Sequence, residues 1–150
     1  MTDMQEMLEK FRLKELVDTF STLDDERAVA AQMKLLTEDA HITAYIGDQL
    51  YSDMQGIAEI EPTFVRLLSG FKGVYHLNGQ QVIAELTDTT AKGIIYCHVV
   101  LVEARDGKDI IHNNYGRYED EYRKVNGEWK LHHRVARFTI ADSREVGVVA

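Results

Sequence analysis

Positive charge is in short supply in this chain. Its 150 residues carry 17 Lys and Arg against 25 Asp and Glu, a formal net charge of −8. Nucleic-acid binding needs clustered basic residues to neutralise phosphate, and here they are scattered, which argues against a nucleic-acid partner. Long apolar runs are also missing, so nothing reaches the roughly 20 residues of a membrane span. The opening stretch, MTDMQEMLEKF, is acidic and polar, unlike a signal peptide. Cysteine occurs once, at Cys97 inside an apolar strand. No internal disulfide is possible, which fits a reducing, cytoplasmic compartment. Cys97 also lacks the local base or helix terminus that a nucleophile needs. There is no Gly-rich phosphate loop and no His pair at ligand spacing, since His132 and His133 are adjacent and point to opposite faces of a strand. Neither a metal nor a cofactor is expected.

What is present reads as one domain over residues 1–150, long enough to bury a real core. Thr2-x-x-Gln5 has the form of a capping box. Met4, Met7, Leu8, Phe11, Leu16, Val17 and Phe20 then follow helical spacing as one apolar stripe. A break at Ser21-Thr22-Leu23 precedes a second helix, capped by Asp24 or Asp25 and ended by Thr37-Glu38-Asp39. His41 to Tyr51 reads as a short hairpin turning at Gly47-Asp48. A third helix spans Gly56 to Phe71, where Pro62, the only proline, is tolerable if it lies in the first turn.

From Val74 to Ile140 come four long strands, with turn signals at Asp88-Thr89, Asp106-Gly107 and Asn126-Gly127. In residues 92–104 both alternating faces are apolar: Ile94, Tyr96, Val100 and Val102 on one, Ile95, Cys97, Val99 and Leu101 on the other. A sheet wet on one side would alternate with polar residues instead. Both faces are therefore covered, one by helices and the other by a cavity or a partner subunit. Polar residues inside such strands need partners or a purpose, because burying them alone is costly. His76, Asn78, His98, Asn113, Asn114, His132, His133 and Arg134 are the main ones.

The order helix, helix, hairpin, helix, meander resembles the nuclear transport factor 2-like superfamily, and within it the SnoaL-like group of polyketide cyclases and dehydratases. The residues that carry the likeness are Leu36-Thr37-Glu38-Asp39-Ala40, the Val74–Asn78 segment, Gly116-Arg117-Tyr118-Glu119-Asp120, and Asn126-Gly127-Glu128-Trp129 followed by Arg134. The resemblance spans roughly residues 5–140. It implies an α+β cone, the cystatin-like fold, with three N-terminal helices packed on a strongly curved antiparallel sheet. It also implies a small-molecule pocket between helices and sheet, and a homodimer formed through the sheet.

The resemblance further implies that His76 faces the pocket as acid and base, a role suited to an imidazole that titrates near neutrality. It places an acid, Asp24 in preference to Asp25, at the junction of the first two helices, where it would orient His76; the simpler reading is a helix cap. Relatives carry a tyrosine one helical turn before that acid, whereas Thr19 and Phe20 stand here. Tyr45 or Tyr51 could supply the missing phenol. Tyr96 and His98 share one strand face and join the pocket if that face is the one His76 occupies. Asn114, or Asn113 if the face is reversed, could donate to a substrate oxygen. The implied activity is a cofactor-independent dehydratase, isomerase or cyclase acting on a small, apolar, oxygenated molecule. The alternative is a ligand-binding or protein-interaction module without chemistry.

Overall fold

In the computed structural model, which describes residues 1–148, three helices pack on one curved, open sheet of six strands. Residues 149–150 of the domain assignment lie outside the described residues. Helix α1 covers Asp3–Asp25, α2 covers Val29–Met33, and α3 covers Ile57–Ser69. The strands are β1 (Leu36–Ile46), β2 (Gln49–Gln55), β3 (Gly73–Leu86), β4 (Thr90–Arg105), β5 (Lys108–Val125) and β6 (Glu128–Val146). Their spatial order is β2-β1-β6-β5-β4-β3. All neighbours are antiparallel except β1 and β6, which run parallel because β1 returns from the helices to the far side of the meander.

The Thr2–Gln5 capping box forms, and the two meander turns with a central glycine, Asp106-Gly107 and Asn126-Gly127, adopt positive φ at both residues. That conformation matches the right-handed twist of the flanking strands. Gly116 marks a bulge against β6, and a Cβ there would come within 1.9 Å of the Arg137 carbonyl oxygen, so only glycine lets the two strands close.

The first two helices depart from expectation. There is no break at Ser21-Thr22-Leu23; α1 runs straight through to Asp25, and the second helix shrinks to Val29–Met33. The polar residues are absorbed locally. Thr22 Oγ1 donates to the Asp18 carbonyl oxygen at 2.9 Å, and Ser21 Oγ accepts from Asn78 Nδ2 at 3.0 Å. Thr37-Glu38-Asp39 does not end a helix but lies within β1. Asp24 and Asp25 are thus the last two residues of a helix rather than the cap of the next one, and α2 has no side-chain cap.

The core lies between α1, α3 and the concave face, around Leu13, Leu16, Val17, Phe20, Ile60 and Ile95. The single apolar stripe expected along α1 divides. Leu16, Val17 and Phe20 are buried, whereas Met4, Met7, Leu8 and Phe11 remain exposed.

Candidate active site

Strand β3 is an edge strand, so one row of its backbone groups lacks a strand partner. The C-terminal half of α1 lies along that edge. Asp18, Ser21 and Asp25 recur at helical spacing on the side that meets His76 and Asn78, which recur at strand spacing. Asn78 Nδ2 donates to Asp18 Oδ1 at 3.1 Å as well as to Ser21. Asp25 takes His76 twice: Oδ2 accepts the His76 backbone N–H at 3.0 Å, and Oδ1 lies 2.6 Å from Nδ1. This fixes the tautomer. Nδ1 carries the proton and donates it to the carboxylate, leaving Nε2 as the basic nitrogen.

His76 lines a cavity of about 170 Å³ together with Phe20, Asp24, Tyr51, Tyr118 and Arg134. Asp24 Oδ2 lies 3.2 Å from Nε2, and its side chain is only 16% exposed. Burial pushes the Asp24 carboxyl above its ordinary range, and the neighbouring Asp25 adds to the rise against the opposing pull of His76, Gln32 and Arg134. The two carboxylates also end a helix whose last turn holds no basic residue, a location the helix dipole disfavours. The fold thus carries two acids at an electrostatically poor place beside one imidazole, Asp25 hydrogen-bonded to Nδ1 and Asp24 within 3.2 Å of Nε2.

A prediction follows for Asp24→Asn. In the folded protein Asp24 holds its proton to a higher pH than in the unfolded chain. Its stabilising contribution is therefore complete below the unfolded pKa and is lost as pH rises through the folded one. The variant should be more stable than wild type at pH 8, by about 0.5–2 kcal/mol, and should lose that advantage near pH 3. Urea denaturation at the two pH values checks this. A variant less stable at pH 8 would mean that the Asp24–His76 contact outweighs the burial cost.

Arg134 is the residue that the sequence reading left without a role. It is 4% exposed, and its Nε and Nη2 each donate to Asp120 at 2.8 Å. Its guanidinium carbon lies 3.8 Å from the centre of the Tyr118 ring. Burial works against its charge, but the Asp120 carboxylate overcomes this and holds it protonated. Among the described residues its Nη1 has no hydrogen-bond partner, on a side chain that lines the same cavity as His76. Its place among the polar strand residues that need a partner was the available signal.

The other sequence candidates separate by face. Leu77 pairs with His98 while His76 pairs with Val99, so His98 and Tyr96 lie on the opposite, convex side. There His98 stacks on Tyr115 with ring centres 4.2 Å apart and contacts Asn113 at 3.1 Å. Tyr45 is likewise outside the cavity, with the Arg137 guanidinium over its ring. These three are thereby removed from the pocket, because a one-residue change of register reverses a whole strand. Asn114 is buried on the concave face, and its Nδ2 makes only a long contact, 3.4 Å, to the Val99 carbonyl oxygen. It lines a second, outer chamber of about 440 Å³. The two chambers share Tyr51, Phe71, Val99, Leu101 and Phe138 as walls. Tyr51, the alternative phenol, therefore does reach the cavity. Phe71 and Phe138 border it without filling it, and Tyr75 is exposed outside.

The sequence matches the SnoaL-like domain pattern over residues 5–135. The chain belongs to the SnoaL-like family. No functionally curated protein matches it. Among solved structures, this SnoaL-like protein is similar to a provisionally named scytalone dehydratase from Novosphingobium aromaticivorans. The two are 21% identical with a TM-score of 0.82, over 97% of this chain and 93% of that one. It is also similar to LinA, at 16% identity and a TM-score of 0.75 over 99% and 95% of the two chains. A third likeness is to a protein of unknown function with a cystatin-like fold from Nostoc punctiforme, at 22% identity and a TM-score of 0.70 over 87% and 91%. At these identities the likenesses establish the cystatin-like fold of this SnoaL-like domain.

Proposed function

We propose that this protein is a cofactor-independent lyase or isomerase that removes a proton next to a carbonyl in a small, largely apolar, oxygenated molecule. The observation that carries the reading is His76. Its Nδ1 is tied to Asp25 at 2.6 Å, and the residue lines a cavity together with Asp24, whose Oδ2 lies 3.2 Å from Nε2. An imidazole whose Nδ1 donates to a carboxylate offers Nε2 as a general base. In the dehydration of a β-hydroxy ketone, Nε2 takes the α-proton and the C–H electron pair becomes the enolate. Arg134 Nη1 and the Tyr51 hydroxyl stabilise the developing oxyanion in place of Tyr45 and Tyr96. The enolate then expels the β-oxygen as the double bond forms, and that oxygen takes the proton back from the imidazolium as water leaves. Between the two transfers the imidazolium lies between two carboxylates. The provisional scytalone dehydratase name and the name hexachlorocyclohexane dehydrochlorinase, both borne by structural neighbours, describe eliminations of this general kind.

The test is solvent exchange. A panel of cyclic β-hydroxy ketones incubated with the protein in D2O should show deuterium entering next to the carbonyl, followed by loss of water, both visible by NMR. No exchange in any member would leave the second reading, a ligand-holding module. That reading is favoured by the apolar Phe20 at the cavity wall, near where relatives carry a tyrosine.

The same proposal takes the chain as one domain, working in the cytoplasm as a homodimer. Among the described residues no helix is long and apolar enough to cross a membrane. The convex face supports self-association. Leu77, Tyr96, Tyr115 and Ile140 are exposed there on four adjacent strands. An apolar patch that crosses a sheet in this way is a usual mark of an interface. Sedimentation velocity should show a dimer that Leu77→Asp with Ile140→Asp converts to monomer; a monomeric wild type would refute the dimer.

A further inference from the structure

The outer chamber holds a second polar cluster, separate from His76. Glu103 on β4, His112 on β5 and Ser143 on β6 form one row across three strands of the concave face. His112 Nε2 lies 2.9 Å from Glu103 Oε2, and His112 Nδ1 lies 2.6 Å from Ser143 Oγ. Arg105 Nη2 lies 2.9 Å from each Glu103 oxygen. Hydrogen bonds to His112 and Arg105 hold the Glu103 carboxyl below its ordinary range, so it is ionised and can only accept.

That sets the direction of the row. Because Glu103 accepts, His112 Nε2 must donate to it. In the neutral ring Nδ1 is then an acceptor, so the Ser143 hydroxyl must donate to Nδ1. Its single proton is thereby used, and Ser143 Oγ presents only lone pairs to the chamber. A ligand group arriving there has to bring its own hydrogen. A neutral hydroxyl can do so; a carboxylate cannot, and would also approach the ionised Glu103.

We infer that this row is a recognition subsite for a hydroxyl group at the end of the ligand remote from His76, and that it rejects carboxylate-ended molecules. The ligand class is a neutral, elongated, apolar molecule with a terminal alcohol or phenol, its body lying between the walls that the chambers share. The inference rests on the cavity being the substrate site, but it is a statement about binding and needs no turnover.

Three biphenyls test it by isothermal titration calorimetry at pH 8: 4-hydroxybiphenyl, 4,4′-dihydroxybiphenyl and 4′-hydroxybiphenyl-4-carboxylate. The diol should bind about fivefold more tightly than the mono-ol, the worth of one net hydrogen bond. The carboxylate should bind roughly tenfold or more weakly than the diol. Ser143→Ala should erase the advantage of the diol and leave the mono-ol unchanged. Glu103→Gln can place an amide N–H against His112 Nε2. That reverses the row, makes Ser143 a donor to the chamber, and should bring the carboxylate close to the diol. A diol no tighter than the mono-ol, an advantage that survives Ser143→Ala, a carboxylate equal to the diol in wild type, or no binding of any of the three would each overturn the assignment. Exchange of substrate hydrogen in D2O proceeding normally beside any of those results would leave the His76 chemistry intact.

Discussion

His76→Ala is expected to lower turnover by about 10²–10⁴-fold, the usual worth of a positioned general base. The loss should fall on kcat, with little change in KM, because the imidazole contributes little area to an apolar cavity and acts in the transition state. The fold should persist. The β3 edge keeps its Asn78 contacts to Asp18 and Ser21, and Asp25 still accepts the backbone N–H of residue 76. Stability should nevertheless fall at neutral pH. Asp24 and Asp25 would then be two carboxylates side by side at a helix C-terminus with no imidazole between them. Measuring kcat on a substrate identified by deuterium exchange, beside a urea transition, separates the outcomes. Turnover within a few-fold of wild type in a folded variant would end the general-base assignment. A large drop that accompanies unfolding would mark His76 as structural.

The meander was legible because its turns are local chemistry. Asp106-Gly107 and Asn126-Gly127 can take positive φ wherever they stand, and they do so here. The cavity-lining position of His76 came from the family resemblance and not from the strand's own pattern, which leaves the facing side open. What was not legible depends on contacts distant in sequence. The boundary of α1 is the clearest case. Ser21, Thr22, Asp24 and Asp25 look like a helix end followed by a cap, and helix propensity alone says so. Only the arrival of His76 and Asn78, more than 50 residues later, gives three of them partners that let the helix run on.

Register was the second limit. Tyr96 and His98 and Tyr45 could face either way, since a single residue of slip exchanges the faces. Irregularities between Ile83 and Glu85 and between Asn78 and Gln81 together shift the β3–β4 pairing from what the Asp88-Thr89 turn alone implies, so that His98 meets Leu77. A turn signal sets where a hairpin closes, and a bulge farther along undoes the count. The Ser143–His112–Glu103 row was illegible for the same reason: its members come from three strands and meet only through two registers.

Arg134→Met should cost about 3–5 kcal/mol of stability, because removing one partner of a buried ion pair strands the other. Asp120 would keep only the Tyr122 hydroxyl, which donates to Oδ2 at 2.9 Å, inside a side chain that is 2% exposed. The Tyr118 and Phe20 rings that now flank the guanidinium would lose its charge as well. Arg134→Met combined with Asp120→Leu should recover most of that loss, since two apolar groups of suitable volume often replace a buried pair at little cost. The double variant thereby separates the two duties assigned to Arg134. If the arginine served the fold alone, restoring stability would restore turnover. If its Nη1 stabilises the oxyanion, the double variant should be as stable as wild type within about 1 kcal/mol and still lose about 10²–10³-fold in kcat. Urea denaturation and kcat on the same protein decide between them, and recovery of both together would return Arg134 to a purely structural role.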